Sequence, residues 1–102
     1  MPLSSFVTAD PATMLAAAED LAGIGAAMSA ANSGAAGPTT GVVPAAADHV
    51  SALTATQFST YAGHYQAAAG VAVAMHSLLV STLHANATAY ELTEAANSIA
   101  TG

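Results

Sequence analysis

The chain has 102 residues, no Lys or Arg, six acidic residues and a formal charge of −6. Without cations it lacks the groups that bind nucleic-acid phosphates, that hold a helix on an anionic membrane surface and that begin a secretory signal peptide. It has no cysteine, which excludes disulfides and thiolate sites, and its length allows one domain at most.

Alanine makes up more than a quarter of the residues, so the hydrophobic fraction of 54% overstates the apolar area available for burial. Alanine is also the strongest helix former. The most apolar run, residues 67–80, is too short to span a membrane and is interrupted by His76 and Ser77, so we expect no membrane insertion. The composition predicts an all-α chain with abundant helix and weak internal packing.

The first helix is predicted over about residues 11–33, starting at Asp10 and Pro11. Asp accepts hydrogen bonds from the free N–H groups of a first turn, and Pro suits the first helical position. Gly23 and Gly25 each cost about 1 kcal/mol relative to Ala in a helix, which indicates either close approach of another backbone or weak local stability. Apolar residues recur at spacings of three and four, a pattern typical of a helix–helix seam. This predicted seam consists of Met14, Ala17, Leu21, Ile24, Met28 and Ala31.

Glycine and proline residues predict a turn over residues 34–43. The second helix is predicted from about residue 44 to 85, with Asp48 near the positive end of its dipole. A C-terminal tail over 86–102 follows, with fraying or weaker helix through Asn97. Its apolar stripe consists of Val50, Leu53, Phe58, Tyr61, Tyr65, Ala68, Ala72, Met75, Leu79 and Leu83.

The predicted helix lengths are unequal, at roughly 35 Å and 63 Å. In an antiparallel hairpin the N-terminal end of the first helix would therefore lie beside residues 67–70 of the second. The apolar residues beyond that point would have no partner in the chain: Val71, Met75, Leu78, Leu79 and Leu83. One alanine-rich seam cannot offset an ordering cost on the order of 100 kcal/mol. We therefore expect a two-helix antiparallel hairpin with a long second helix, which completes a helical bundle with a partner protein.

The segments SSFVTADP, GIGAAMSAAN, GPTTGVVPAAADHVSALTATQF and YELTEAAN resemble, in order and spacing, the PE proteins of mycobacteria. The resemblance implies a hairpin that pairs with a PPE-family protein as a heterodimer, exported folded by a type VII secretion system to the cell envelope or the outside. In that family Tyr-x-x-x-Asp/Glu after the second helix is the export signal, and Tyr90 and Glu94 match it. The companion Trp-x-Gly motif lies on the partner, and this chain has no Trp.

The chain departs from the family pattern at three places. Pro11-Ala12 stands where the family has Pro-Glu, and about three extra residues precede the usual start. The chain ends soon after the signal, so we expect a member without the large C-terminal extensions, including hydrolase domains, that many relatives carry.

Several alternatives remain at the level of sequence. Tyr90 and Glu94 also fit an ordinary amphipathic tail, and Phe58, Tyr61 and Tyr65 fit packing against the first helix as well as against a partner. A self-associating hairpin would bury the same stripe by symmetry, and an exported hairpin could act on membranes.

Catalytic and metal-binding patterns are weak. The neighbours Asp48 and His49 point about 100° apart on a helix, and His76 and His84 are too far apart to share an ion. No two histidines are four residues apart. We therefore expect no enzyme activity, no metal and no cofactor.

Overall fold

The computed structural model describes residues 8–101, which form two helices joined by a loop. The first helix, α1, is Pro11–Thr40, and the second, α2, is His49–Thr101. The two helices pack against each other, so the chain is the all-α helical hairpin that the sequence predicts.

Helix α1 begins where the sequence predicts. The Asp10 Oδ1 atom accepts a hydrogen bond from the Thr13 N–H at 3.2 Å, and the Asp10 carbonyl accepts one from the Met14 N–H at 3.1 Å. Hydrogen bonds from the side chain and backbone of Thr13 lower the pKa of Asp10. The carboxylate thus satisfies an N–H group that has no partner within the helix, and Pro11 is the first helical residue.

Helix α1 ends at Thr40, so the prediction of an end near residue 33 was wrong. Pro38 lies inside the helix, where its missing N–H removes only one hydrogen bond close to the end. The hydroxyls of Thr39 and Thr40 donate to the carbonyl oxygens four residues earlier, both at 2.6 Å, and the Gly41 N–H donates to the Gly37 carbonyl at 3.0 Å. The Gly41 N–H thus continues the helical hydrogen-bond pattern past the glycines that were expected to stop the helix, and the two hydroxyls add second bonds to carbonyls inside it.

Helix α2 begins at His49 rather than near residue 44, because Asp48 is its N-cap and not part of its first turn. The Ser51 N–H donates to Asp48 Oδ1 at 2.8 Å, and the Ser51 hydroxyl donates to Asp48 Oδ2 at 3.0 Å. These two bonds, the backbone one first, hold the pKa of Asp48 below its ordinary value of 3.8.

Replacing Asp48 with alanine is expected to reduce helix content near neutral pH, because the cap bonds are lost. A lowered folded-state pKa means that the carboxylate stabilises the helix above its ordinary pKa, and that this contribution disappears as the pH falls through the lowered value. The difference between wild type and Asp48→Ala should therefore narrow below about pH 4. Circular dichroism from pH 7 to pH 2 tests this, and a difference independent of pH would contradict it.

Helix α2 continues to Thr101, so the predicted end near residue 85 was wrong, while the weaker helix predicted after it stays a prediction. No proline follows Pro44, and alanine and leucine keep helix propensity high to the end. The segment containing Tyr90 and Glu94 is therefore part of α2.

The chain divides into two compact units. We call Ile24–Met75 the loop unit, and the described residues of Met1–Gly23 and His76–Gly102 the terminal unit. In the loop unit Val42 bonds Ser59, and Asn32 bonds Tyr65 and its neighbour Gln66, so the two helical segments run antiparallel.

In the terminal unit α1 extends along a part of α2 that was predicted to have no partner in the chain. The Leu21 carbonyl accepts a hydrogen bond of 2.6 Å from His76 Nε2, whereas the N-terminal end of the first helix was predicted to lie beside residues 67–70. Leu83 is half-buried and Ala87 is buried in the same unit. Met75, Leu78 and Leu79 are exposed because they face away from α1, and not because α1 is too short.

The residues that the hairpin covers are mostly small. Ala18, Ala55 and Ala87 are the buried hydrophobic residues, and no large side chain in the described chain is fully buried. On α2 most covered positions follow the predicted stripe by one residue, which is a rotation of about 100° around the helix, whereas Leu83 lies on both. On α1 the covered line agrees with the predicted seam at Met14 and Leu21 and is displaced by one residue elsewhere, which leaves Ile24 and Met28 exposed. Covered or half-covered positions include Met14, Ala18, Leu21, Gly25, Ser29 and Asn32 on α1, and Ala55, Ser59, Ala62, Gln66, Ala69, His76, Val80, Leu83 and Ala87 on α2.

Thermal unfolding of the isolated chain is expected to be broad, because alanine supports helix while the small buried residues supply little hydrophobic stabilisation. Helix content at 20 °C should still be high. Circular dichroism at several protein concentrations measures this. A sharp transition that is independent of concentration, from a monomer, would contradict the prediction.

Candidate functional site

Large apolar side chains lie on the outside of the loop unit. Phe58 is 63% exposed, Tyr61 61% and Tyr65 52%, so these aromatic rings do not form an internal core. The sequence left two interpretations open for these rings, packing against the first helix or against a partner. Because each residue is more than half exposed, packing within the chain covers only part of it. The other exposed apolar residues of this unit include Ile24, Met28, Val50, Leu53, Val71 and Met75.

An apolar groove runs between the end of α1 and residues 58–66 of α2 in the loop unit. Pro38 and Val42 line it on one side, and Phe58, Tyr61 and Tyr65 line it on the other. The Tyr61 ring also meets the His64 ring edge to face, with centroids 6.5 Å apart. The groove is open to solvent and offers aromatic surface to a partner side chain.

Two polar residues that sequence reasoning passed over connect the helices of the loop unit. The Tyr65 hydroxyl donates to Asn32 Oδ1 at 2.6 Å, and Gln66 Nε2 donates to the Asn32 carbonyl oxygen at 3.0 Å. Asn32 lies near the predicted end of the first helix, outside the predicted seam. Gln66 follows the predicted stripe by one position, on the line that faces α1 in the structure, and the spacing of apolar residues gives no signal for it.

Tyr90 and Glu94 lie one turn apart near the end of α2, in the terminal unit. They continue the spacing of Leu83 and Ala87, so they belong to the face of α2 that packs against α1. Tyr90 is 48% exposed and Glu94 is half-buried. From the contact of Leu21 with His76, the first residue of α1 lies opposite about residue 86, and the pair therefore lies beyond that point.

Charge is distributed unevenly between the two units. The loop unit contains one carboxylate, Asp48, and no Lys or Arg. The carboxylates of the terminal unit are Asp10, Glu19, Asp20, Glu91 and Glu94. A protein surface that covers the loop unit therefore meets almost no charge, which favours apolar contact there.

Within residues 8–101, no group of three or more His, Asp or Glu side chains is arranged to hold a metal ion. Both oxygens of Asp48 accept hydrogen bonds from Ser51, and His76 bonds a backbone carbonyl. These groups have structural roles in the helix start and between the helices.

Both helices are long and apolar enough to cross a membrane by length and composition alone. The most apolar windows have a mean hydropathy of 1.2 in Pro11–Thr40 and 1.4 in His49–Ala100. The sequence-based expectation considered only the shorter run of residues 67–80. Helices that bury an apolar face against protein pass the same test, so membrane action stays an untested alternative.

Comparisons with known proteins agree over nearly the whole chain. The model of the PE family matches residues 7–97. PE family protein PE13 of Mycobacterium tuberculosis (strain ATCC 25618 / H37Rv) is 51% identical over 96 residues, which cover 94% of this chain and 97% of that protein.

Longer proteins share the same region. PE family protein PE8 of the same strain is 48% identical over 94% of this chain, which spans 35% of PE8. The uncharacterized PE-PGRS family protein PE_PGRS44 of M. tuberculosis (strain CDC 1551 / Oshkosh) is 49% identical over 94% of this chain, which spans 18% of that protein.

Proposed function

The chain belongs to the PE family, and from this membership we propose that it pairs with a PPE-family protein in a heterodimer that a type VII secretion system exports to the cell envelope or the outside. The chain contributes a binding surface and an export signal, and no catalysis, metal or cofactor. The exposed apolar surface of a hairpin that buries mainly small residues is the observation that carries the proposal.

The exposed apolar side chains of the described residues support a stable partner. In the loop unit Phe58, Leu53 and Met75 are 63%, 70% and 67% exposed, although large apolar side chains are normally covered in a stable protein. A partner that supplies two further helices would cover them and complete a bundle.

The proposed interface uses the exposed residues on the stripe named from the sequence. In the loop unit these are Ile24, Met28, Leu53, Phe58, Tyr61, Tyr65 and Met75, and in the terminal unit Leu79 is equally accessible. Met14, Leu21 and Leu83 are half-buried and contribute mainly to packing within the hairpin.

Tyr90 and Glu94 are the proposed export signal. Their position in α2, one turn apart on one face, supports recognition of an aromatic ring and a carboxylate together. The type VII machinery is the proposed reader. This signal requires no cationic leader, in keeping with the absence of Lys and Arg.

Co-expression with individual PPE-family proteins, followed by pull-down on a tag carried by this chain, tests the proposal. The expected product is a one-to-one complex whose subunits are identified by mass spectrometry and whose size is measured by light scattering. A stable homodimer in the presence of every PPE-family protein tried would favour the self-associating hairpin instead. Co-sedimentation of the chain alone with lipid vesicles would favour membrane action.

A further inference from the structure

Asn32 accepts a hydrogen bond from Tyr65, an aromatic residue that is about half exposed to solvent. The Tyr65 hydroxyl donates to Asn32 Oδ1 at 2.6 Å, while 52% of Tyr65 stays exposed. Asn32 is itself placed by the Gln66 side chain, which bonds its backbone carbonyl at 3.0 Å. An exposed tyrosine samples several rotamers, and a short bond at its hydroxyl restricts both of its side-chain torsions.

The restricted ring borders the apolar groove. Tyr65 lines this groove together with Phe58, Tyr61 and Pro38. The orientation of Tyr65 therefore sets the width and shape of the groove on the α2 side. Binding is stronger when groups that contact a partner are already held in their bound arrangement, because less conformational entropy is lost.

The surroundings of the groove restrict what can occupy it. The loop unit carries Asp48 as its single carboxylate, and that group caps α2 through Ser51. No Lys or Arg lies anywhere in the chain. A charged partner group would be buried here without a counter-charge, whereas an apolar side chain gains contact with three aromatic rings.

We propose that Asn32 is a positioning residue for partner binding: it presets Tyr65 so that the groove receives an apolar side chain from an uncharged helical segment of the PPE-family partner. This inference rests on the proposed function and adds to it the place where the partner inserts and the residue that prepares that place.

A competition experiment tests the inference. Wild-type and variant chains with tags of different mass are co-expressed with a limiting amount of a PPE-family protein, and the ratio of the two in the purified complex is measured by mass spectrometry. Tyr65→Phe and Asn32→Ala are each expected to be recovered about 3- to 10-fold less than wild type. Combining them should add nothing further, because both remove the same bond.

Asn86→Ala is the matched control. It makes the same change as Asn32→Ala, but Asn86 is exposed in the terminal unit, and its side chain has no hydrogen bond to the residues that the structure describes. It should be recovered within about twofold of wild type. An equal loss for Asn86→Ala would overturn the positioning role, as would additive losses for Asn32→Ala and Tyr65→Phe.

The wild-type chain separates this inference from the proposed function. If wild type forms the complex and Tyr65→Phe competes equally with it, the inference about Asn32 is wrong and the proposed function stands. If wild type forms no complex with any PPE-family protein, both are wrong. Reduced helix content in the Tyr65→Phe complex would mean that the Tyr65–Asn32 bond acts by stabilising the hairpin, and this result would also overturn the inference.

Discussion

Replacing Tyr90 and Glu94 together with alanine is expected to retain the chain and its partner inside the cell while the heterodimer still forms. The pair lies past the point where α1 begins, and substitution of an exposed residue such as Tyr90 usually changes stability by less than about 0.5 kcal/mol. Recognition of the ring and the carboxylate by the export machinery is lost with both groups. The measurement is the amount of both proteins in culture filtrate and in cell lysate.

Conservative variants refine this expectation. Tyr90→Phe should reduce export less than Tyr90→Ala, because the ring remains. Glu94→Asp should reduce it less than Glu94→Gln, because the charge remains. Glu91→Ala is the matched control: it removes a neighbouring carboxylate that lies about 100° around the helix, and export should be normal.

Two results would contradict the assignment of the signal. Normal export of the Tyr90→Ala/Glu94→Ala variant would mean that the pair is only the end of a helix. Loss of the heterodimer in the lysate would mean that the pair belongs to the fold, and the half-buried position of Glu94 makes the lysate measurement essential.

Replacing Met75 or Leu79 with aspartate is expected to prevent pairing. Both side chains are at least half exposed in the hairpin, at 67% and 50%, so the substitutions leave the packing between α1 and α2 largely unchanged. In the heterodimer each carboxylate would be buried without a cation, at a cost on the order of several kcal/mol. Affinity should fall by more than about 100-fold, measured as yield of co-purified partner.

Neighbouring exposed positions supply the controls. Ala74→Asp in the loop unit and Ser77→Asp in the terminal unit add the same charge to α2 on a different face. They should co-purify with the partner at close to wild-type yield. Equal losses from the controls would indicate a general effect of charge on α2, and wild-type yield from Met75→Asp and Leu79→Asp would place the interface elsewhere.

The ends of the helices were predicted with unequal success, for local reasons. The start of α1 was recognised because Asp10 and Pro11 carry their own signal in adjacent residues. The end of α1 was missed because glycine and proline residues predict a turn, whereas Pro38 removes only one hydrogen bond near the helix end and the Gly41 N–H still donates to the Gly37 carbonyl. The predicted lack of a partner for residues 71–83 followed from this error together with two others: α2 begins five residues later than predicted, and Val42 of the loop lies beside Ser59 of α2.

The sequence by itself determined that the chain is helical, how many helices it has and that an apolar stripe is present. These properties follow from the alanine content, the helix signals and the spacing of apolar residues along the chain. Only the tertiary structure decided which face of each helix turns inward. Spacing identifies the stripe with the largest side chains, but small residues such as Ala18 and Ala55 let the two backbones approach, and Asn32 and His76 then bond across the hairpin. The large side chains remain outside because the contact between two helices depends on the shape and the hydrogen-bonding groups of both. The apolar pattern of one helix contains no information about the other.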